Sequence, residues 1–253
     1  MTPFFVDSET YGNVDLTKVG LDVYLNTGAE SLIWTFAREE RPVQYWDVTS
    51  GAPMPSEFQD NMLDERVKKV AHNVPFDANI ARFTLGFDIP WDQWHCTMAR
   101  AYAHSLPGSL ETLGMVLGLP TEMRKFIRGK ELIKMFCMTP KGQTRKTRLT
   151  HPAEWQEFID YGVQDTAALR EVFKRLPLHN YQGEHYELWV ADMEINERGF
   201  FIDQDLCRAA VKIKGQMEQQ SSEEIAELTD DVITKGTQRE RILNYIVGEQ
   251  GFL

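Results

Sequence analysis

The chain has 253 residues, of which 42% are hydrophobic and 26% charged, a composition typical of a folded globular protein with one or two domains. No positively charged n-region precedes Phe4 and no apolar run approaches the length of a membrane span, so a cytoplasmic protein without a membrane segment is expected. Its three cysteines are far apart and lack C-x-x-C spacing, which argues against a disulfide framework and a structural zinc site.

Charge is distributed unevenly along the chain. The net charge of −11 is unusual for a protein that binds nucleic acid, because phosphates normally meet a basic surface. Between Arg124 and Arg148, however, nine Lys or Arg residues accompany a single acid, Glu131, so this segment carries +8 and the remainder −19. The basic segment either holds DNA beside an active site or is a solvated loop, and the sequence favours neither alternative.

The first half of the chain is predicted to contain most of the strands. Runs of β-branched and aromatic residues mark the strands, and Pro75 stands at a first-turn position of a helix. The second and third strands are expected to run antiparallel to the first. The predicted elements are strands at 4–6, 31–37, 43–48 and 67–71 and helices at 55–63 and 75–83.

Helices are predicted to dominate from residue 106 onward. Ser109 is expected to cap a helix at 106–117, whereas Pro140 and Gly142 place part of the basic segment in a loop. Apolar residues at helical spacing then predict a long amphipathic helix at 152–176. Together with the strands, this order indicates an α/β domain over residues 1–180.

From residue 181 the chain is expected to form a small, mostly helical appendage that ends at residue 253. A helix at 184–198 is stopped by Gly199 and followed by a short extended piece. Two further helices, rich in Glu and Gln, are predicted at 204–228 and 238–248.

Three acidic motifs follow one another in the chain. Asp7 and Glu9 end the first strand, where alternate residues project to the same face. Asp77 falls in the first turn of a helix, and Tyr161 and Asp165 stand four residues apart on the long helix, so they share a face. Each motif alone also fits a polar strand end, a charge favoured by the helix dipole, or an ordinary helix surface. Their combination, in this order and on these elements, favours a single site.

These five residues resemble the signature of the DEDD exonuclease superfamily, in its tyrosine-bearing subgroup. More of the chain is similar to the proofreading 3′→5′ exonuclease domain of bacteriophage family-A DNA polymerases, over about residues 4–178, and then to the start of such a polymerase's thumb region. The resemblance implies a ribonuclease H-like α/β fold, with a mixed sheet flanked by helices. It is carried by residues 69–73, 105–110, 129–133, 154–165 and 187–203 and by the helix starting near residue 237.

The resemblance also implies function. It predicts a phosphodiester hydrolase that removes nucleotides from single-stranded or frayed 3′ ends of DNA, in proofreading during replication, and the choice of DNA over RNA rests on it alone. It assigns Tyr161 to orienting the attacking water, since a phenol with a pKa of about 10 is a poor base at neutral pH. Asn73 matches an asparagine near the terminal nucleotide. His72, Phe76 and Tyr11 lie nearby in sequence and either stack on the last bases or are structural.

Four carboxylates in one site require cations. Two carboxylates about 4 Å apart repel by roughly 4 kcal/mol at an effective dielectric near 20. Oxygen ligands suit Mg²⁺ or Mn²⁺ and not zinc. We expect Asp7, Glu9 and Asp165 to hold one ion, and Asp7 to hold a second with waters oriented by Asp77. Two ions about 3.5–4 Å apart can activate a water and stabilise the leaving oxygen.

The sequence stops at Leu253, before any palm or fingers motif, so no nucleotide incorporation is expected from this chain. A polymerase domain or subunit is accordingly an expected partner. Two alternatives remain open. Beside a proofreading exonuclease, the first alternative is a free-standing exonuclease that degrades DNA, with the helical tail as a docking element. The second is a non-enzymatic docking module for a separate polymerase half. The four acids argue against the second alternative, because a scaffold has no chemical need for them.

Overall fold

The computed structural model describes residues 2–121, 128–140 and 142–249. Three residues of the basic segment, Arg124, Lys125 and Lys141, therefore lie outside the described residues. The chain forms two compact units, Met1–Glu197 and Arg198–Leu253.

A five-stranded mixed sheet forms the centre of the first unit, with its strands in the order β3-β2-β1-β4-β5. The strands are β1 (Thr2–Tyr11), β2 (Glu30–Arg38), β3 (Gln44–Asp47), β4 (Val67–Ala71) and β5 (Trp94–Cys96). β1 pairs antiparallel with β2 and parallel with β4, which in turn pairs parallel with β5. This order and these directions are those of the ribonuclease H-like fold, so the predicted fold class is confirmed.

Two features of the sheet differ from the prediction. β3 runs antiparallel to β2 and hence in the same direction as β1, whereas the sequence predicts both strands antiparallel to the first. Each hairpin reverses the chain, so two successive hairpins restore the original direction. β5 was not predicted, because three residues are too few to show a strand periodicity.

Helices flank the sheet and complete the first unit. They are α1 (Leu16–Val19), α2 (Leu21–Asn26), α3 (Ser56–Leu63), α4 (Val74–Ile80), α5 (Thr97–Tyr102), α6 (Leu110–Val116), α7 (Gly129–Phe136), α8 (Pro152–Arg175) and α9 (Glu184–Arg198). A π-helical turn, Ala81–Leu85, extends α4. Ser109 caps α6 as predicted, its hydroxyl accepting a hydrogen bond from the Thr112 amide at 3.1 Å. α1, α2, α5 and α7 were not predicted, because such short helices leave a weak periodic signal.

The two faces of the sheet are covered differently. On one face, the ring of Phe58 from α3 stands at the centre of an aromatic cluster, with centroid distances between 5.2 and 6.1 Å to Phe4, Trp34, Phe36 and Trp46. On the other face, α8 packs across β1 and β2 through apolar side chains. These are Leu169 against Phe5 and Val70, and Trp155, Phe158 and Ile159 against Leu32 and Ile33.

The first compact unit extends past residue 180, where the sequence places a domain boundary. Tyr181 is 3% exposed, and Trp189, Val190 and Met193 of α9 pack against the core that contains Phe58. Burial of these side chains keeps residues up to Glu197 with the sheet.

The second unit is helical, in agreement with the expected helices in this region. It contains α10 (Gln204–Leu228), α11 (Arg239–Asn244) and a π-helical turn, Tyr245–Glu249. The Asp203 carboxylate caps α10 by accepting from the amides of Asp205 and Leu206 at 3.0 and 2.9 Å. Within the described ranges, no helix is long and apolar enough to cross a membrane.

Candidate active site

β1 carries Asp7 and Glu9 on the face of the sheet that α8 covers. Phe5, two residues before Asp7 and therefore on the same face, packs against Leu169 of α8. The register of β1 against β2 shifts between Glu9 and Thr10, so a β-bulge follows the second acid. Such bulges twist a strand and re-aim its side chains, which suits the edge of a site. Both acids are half-buried.

Asp77 reaches the same strand from α4. The pairing of β1 with β4 ends at Phe5, and beyond that point the main chain of β1 is open to other partners. The amide and the hydroxyl of Ser8 both donate to Oδ1 of Asp77, at 3.0 and 2.6 Å. Asp77 is 2% exposed and is therefore held firmly against β1.

Hydrogen bonds of two threonines hold α8 against the sheet next to β1. Thr35 pairs with Asp7 across β1 and β2, and its hydroxyl donates to the carbonyl oxygen of Gly162 at 3.2 Å. The same hydroxyl shares a hydrogen bond with that of Thr166 at 2.7 Å. A Cβ atom at Gly162 would lie 3.2 Å from Cγ2 of Thr35 and 4.0 Å from Cγ of Glu9. The absence of a side chain at this position lets the helix backbone approach the acids.

Tyr161 and Asp165 lie on either side of Gly162 in this close part of α8. The Tyr161 hydroxyl donates a hydrogen bond to the Asp165 carboxylate. Its ring lies parallel to that of Phe158, with centroids 6.3 Å apart, and abuts Gly129, where a Cβ would lie 2.8 Å from the ring. Burial, together with the charges of Glu9 and Asp165, raises the pKa of Tyr161, so the phenol stays protonated.

The four carboxyl groups act on one another electrostatically. Burial raises the pKa of Asp7 well above its ordinary value, and the charges of Asp77, Glu9 and Asp165 raise it further. Burial and the charges of Asp165 and Asp77 likewise raise the pKa of Glu9. Burial raises the pKa of Asp77 to about 7, against the opposing effect of the Ser8 hydrogen bonds, and that of Asp165 to about 6. Asp7 and Glu9 therefore lie close enough to Asp77 and Asp165 for these charges to raise their pKa values.

The donor set fits a hard divalent cation. It consists of carboxylate oxygens, the ligands that Mg²⁺ and Mn²⁺ prefer, and a cation would relieve the repulsion among them. Among the described residues, no three His, Cys, Asp or Glu side chains already form a metal-binding cluster. The carboxylates instead engage protein donors, as Asp77 does with Ser8 and as Glu9 does with the Cys137 thiol at 3.9 Å. Binding an ion would require some of these oxygens to exchange a protein donor for the metal.

We expect the stability of the metal-free protein to fall as pH rises from about 4 to about 7. The folded chain keeps a proton on Asp77 up to about pH 7 and on Asp165 up to about pH 6, whereas the unfolded chain, with carboxyl pKa values of about 4, has released both. Each such group lowers the free energy of unfolding by up to about 1.4 kcal/mol per pH unit. Thermal unfolding in EDTA should show this fall, and it should be smaller in Asp77→Asn, which keeps an oxygen for Ser8 but cannot titrate. An equal fall in both proteins would contradict the expectation.

α7 contacts the site at both of its ends. Gly129, at its start, abuts the Tyr161 ring. After its end, the Cys137 thiol contacts Oε2 of Glu9, and the Cys137 carbonyl accepts from the Gly12 amide at 3.0 Å. α7 therefore forms one wall of the site.

Several residues that shape the site were not predicted from the sequence. They are Ser8, Thr35, Glu111, Gly129, Gly162, Thr166 and Cys137, where Glu111 acts by raising the pKa of Asp165. Two of them have a feature in the sequence from which their role could have been predicted. Ser8 is a donor between two acids, and Gly162 is a glycine beside a proposed catalytic residue in a long helix, where glycine costs about 1 kcal/mol without a packing reason. The threonines gave no signal, because their partners are over 120 residues away.

Two predicted substrate contacts flank the turn from β4 into α4. Asn73 is exposed and has a left-handed backbone conformation, with φ at 74°. His72 uses both ring nitrogens internally, Nδ1 with the Thr97 hydroxyl at 2.9 Å and Nε2 with the Gly108 carbonyl at 2.7 Å. His72 thus fixes a loop, whereas the side chain of Asn73 is accessible. Substrate contact stays a prediction for both.

The other two predicted contacts are aromatic residues engaged with the protein. Phe76 packs against the core cluster around Phe58. Tyr11 is 6% exposed, and its hydroxyl donates to Oγ1 of Thr139 at 3.0 Å, while the Arg145 guanidinium lies 3.5 Å from its ring centroid. These contacts give both residues structural roles, and stacking on bases stays a prediction.

The described part of the basic segment is partly neutralised. Arg128 pairs with Glu157 at 2.6 Å, and Arg145 pairs with Glu30 at 2.8 Å. Lys130 and Lys134, four residues apart on α7, are exposed. Positive charge that is available to bind a ligand therefore lies on the exposed surface of α7.

Comparison with known proteins gives one similar sequence and several similar structures, and no family model matches the chain. A DNA polymerase of Bacillus phage SP02 is 30% identical over 218 residues, which are 83% of this chain and 33% of that protein. The chain thus spans about a third of the relative's length. The predicted resemblance to a bacteriophage DNA polymerase is confirmed by this match.

Solved structures of a protein named NrnC from Brucella melitensis are also similar. One covers 76% of this chain and 80% of its own, with a TM-score of 0.43 and 12% identity. NrnC with bound Mg²⁺ covers the same shares, with a TM-score of 0.42 and 12% identity.

Proposed function

We propose that this chain is a divalent-metal-dependent 3′→5′ exonuclease acting on DNA. The observation that carries the proposal is the convergence of Asp7, Glu9, Asp77 and Asp165, from three separate elements, around one space beside Tyr161. A purely structural role does not account for this arrangement, because four buried acids with raised pKa values destabilise the fold at neutral pH. Such a cost is typical of a site that serves a function.

In the proposed reaction a water attacks the phosphorus of the terminal phosphodiester. The bond to the 3′ oxygen of the preceding nucleotide breaks, that oxygen takes up a proton, and a nucleoside 5′-monophosphate leaves. Asp7, Glu9 and Asp165 would hold one Mg²⁺ or Mn²⁺ ion. Asp7 would also hold a second ion, and Asp77 would orient the waters bound to it. When bound, such ions lower the pKa of water and neutralise charge on the leaving oxygen.

Tyr161 is proposed to position the attacking water through its hydroxyl. Its raised pKa makes it a poor base, so its contribution is orientation. The contacts of its ring with Phe158 and Gly129, and of its hydroxyl with Asp165, leave it little freedom. The hydroxyl is therefore ordered before substrate arrives.

DNA is the proposed substrate, through a single-stranded or frayed 3′ end, and proofreading is the proposed role. Both rest on the similarity to a phage DNA polymerase. Lys130 and Lys134 are exposed on α7, the helix that forms a wall of the site, and are proposed to contact backbone phosphates. Asn73 is proposed to contact the terminal nucleotide. The first unit would then be the exonuclease domain, and the second would correspond to the start of a polymerase thumb.

A direct test uses single-stranded DNA labelled at its 5′ end, incubated with Mg²⁺, Mn²⁺ or EDTA. We expect a ladder that shortens from the 3′ end in either metal and no cleavage in EDTA. A matched RNA strand tests the choice of DNA. Cleavage within the strand would indicate an endonuclease, and intact DNA in both metals would contradict the proposal.

Tyr161→Phe is expected to lower the rate of hydrolysis by about 10- to 100-fold, which is the scale of a lost positioning contact. The substitution keeps the ring that packs on Phe158 and removes only the hydroxyl. Single-turnover rates at saturating DNA should therefore fall while DNA affinity stays unchanged. Phe158→Leu is a useful comparison, since it disturbs the ring but leaves the hydroxyl. An unchanged rate for Tyr161→Phe would remove this residue from the mechanism.

A second candidate function, docking to a separate polymerase half, is favoured by the second unit. Phe200 and Phe201 are 86% and 97% exposed, and α10 has no buried side chain over its 25 residues. Exposed apolar surface of this extent is typical of a surface that meets another protein. Sizing chromatography of this chain with the remaining part of the phage SP02 polymerase tests it, and co-elution would support docking in addition to hydrolysis.

A further inference from the structure

A cavity of about 540 Å³ lies in the first unit, away from the four acids. Pro3 and Lys68, near the starts of the parallel strands β1 and β4, line it. Asp7 and Glu9 lie toward the opposite end of β1. The cavity is therefore separate from the proposed catalytic site, and its volume lies in the range of small-molecule pockets.

Two buried cations line this cavity. Lys68 is 9% and Arg100 is 5% exposed. Lys68 donates to the Asp92 carbonyl at 2.5 Å and to the Tyr186 hydroxyl at 2.7 Å, while Arg100 donates to main-chain carbonyls after α8. Within the residues that the structure describes, neither cation forms an ion pair with a carboxylate. Buried Lys and Arg are normally paired with an acid. The charge of Asp92 acts on Lys68 without forming an ion pair, so the positive charge of the cavity is only partly compensated.

Within the described residues, both cations have N–H groups that are available for further hydrogen bonds. With the described part of the chain, Arg100 uses three of its five N–H groups and Lys68 uses two of three. The third Arg100 bond goes to Nε2 of His95 at 3.3 Å, which makes Nε2 an acceptor and leaves the ring proton on Nδ1. Burial and the charges of Arg100 and Lys68 lower the pKa of His95 to about 3, so the ring is neutral. Three side chains of the lining thus offer donors that suit an anion.

Aromatic rings complete the lining. The ring of His95 makes edge contacts with Phe173 and Tyr181, both at a centroid distance of 5.0 Å, and Tyr181 contacts Tyr186 at 5.6 Å. The Arg100 guanidinium lies 5.2 Å from the Phe173 centroid. Cations and rings therefore form one continuous wall. A wall of this composition binds a ligand that combines an anionic group with a planar ring.

We propose that this cavity binds a nucleoside monophosphate, with the phosphate on Arg100 and Lys68 and the base against Phe173 or Tyr181. The inference that the cavity binds an anion rests only on the residues that line it. The choice of a nucleotide rests on the proposed function, because the proposed hydrolysis by the same unit releases nucleoside monophosphates. Binding at this cavity would let product occupy the protein without blocking the acids.

Calorimetric titration in EDTA tests the proposal without depending on catalysis. The probes are thymidine 5′-monophosphate, thymidine and inorganic phosphate. We expect saturable binding of the monophosphate, and affinities at least tenfold weaker for thymidine and for phosphate, because each lacks half of the recognised chemistry. Lys68→Met and Arg100→Gln should each weaken the monophosphate at least tenfold.

Two controls make the result specific. Asp7→Asn alters the proposed catalytic site and should leave this affinity unchanged, as should Lys18→Met, which removes an exposed lysine of α1. Arg100 also holds the chain after α8, so Lys68→Met decides the matter if Arg100→Gln fails to fold. Absent binding, or equal affinity in wild type and Lys68→Met, would overturn the proposal and leave the exonuclease assignment intact. If inorganic phosphate binds as tightly as the monophosphate, the assignment of a nucleotide to this cavity is wrong.

Discussion

Asp7→Asn is expected to lower nuclease activity by about 10³-fold or more and, in EDTA at neutral pH, to raise the melting temperature. Asp7 is the acid on which the other three all act, so its charge contributes most directly to holding a cation among them. Loss of a metal ligand costs several kcal/mol of transition-state stabilisation, and about 4 kcal/mol corresponds to 10³ in rate. In the metal-free protein the raised pKa of Asp7 lowers stability at neutral pH, because the unfolded chain releases a proton that the folded chain tends to keep. Asn cannot titrate, so the substitution removes this cost and stabilises the metal-free fold.

Both halves of this expectation are measurable on one preparation. Activity on 5′-labelled DNA in Mg²⁺ gives the first, and melting temperatures in EDTA and in Mg²⁺ give the second. Mg²⁺ should raise the melting temperature of the wild type and have a smaller effect on Asp7→Asn. Asp60→Asn, at an exposed position of α3, is the matched control and should alter neither quantity. A variant that loses activity and also melts lower in EDTA would point to a structural role for Asp7.

The fold was largely predictable because its main elements leave strong local patterns. β1 and β2 contain runs of apolar residues next to charged ones, and α8 has apolar side chains at helical spacing over 24 residues. β5 and the short helices α1, α2 and α5 have neither length nor periodicity. Their formation depends on contacts with distant residues, as in the parallel pairing of Lys69 with Trp94.

The candidate site was predictable only in its chemical groups. Carboxylates at Asp7, Glu9, Asp77 and Asp165 are visible because strand and helix periodicities orient them without knowledge of the fold. What positions them is not local. Ser8 holds Asp77 across 69 residues of sequence, and Thr35 holds Thr166 across 131. Such contacts are formed by packing, so no spacing rule applied to one sequence reveals them.

Gly162→Val is expected to reduce activity by about 100-fold or more although Gly162 carries no functional group. A Cβ here already lies 3.2 Å from Cγ2 of Thr35, and two further methyl groups would force α8 away from β1 and β2. Overpacking of this kind costs about 1–3 kcal/mol of stability. Tyr161 and Asp165 would move with the helix, and a displacement of about 1 Å costs about 10²-fold in rate.

The matched control is Gly215→Val in α10, an exposed helix, where a Cβ would meet no other atom within 4 Å. Both substitutions place the same β-branched residue in a helix, so the intrinsic helix cost is common to the two. Only Gly162→Val meets the sheet. We therefore expect Gly215→Val to keep wild-type activity and melting temperature, and activity of both variants is compared at a temperature well below either transition. If Gly162→Val hydrolyses DNA as fast as Gly215→Val, the close approach of α8 to the acids is not what positions Tyr161 and Asp165.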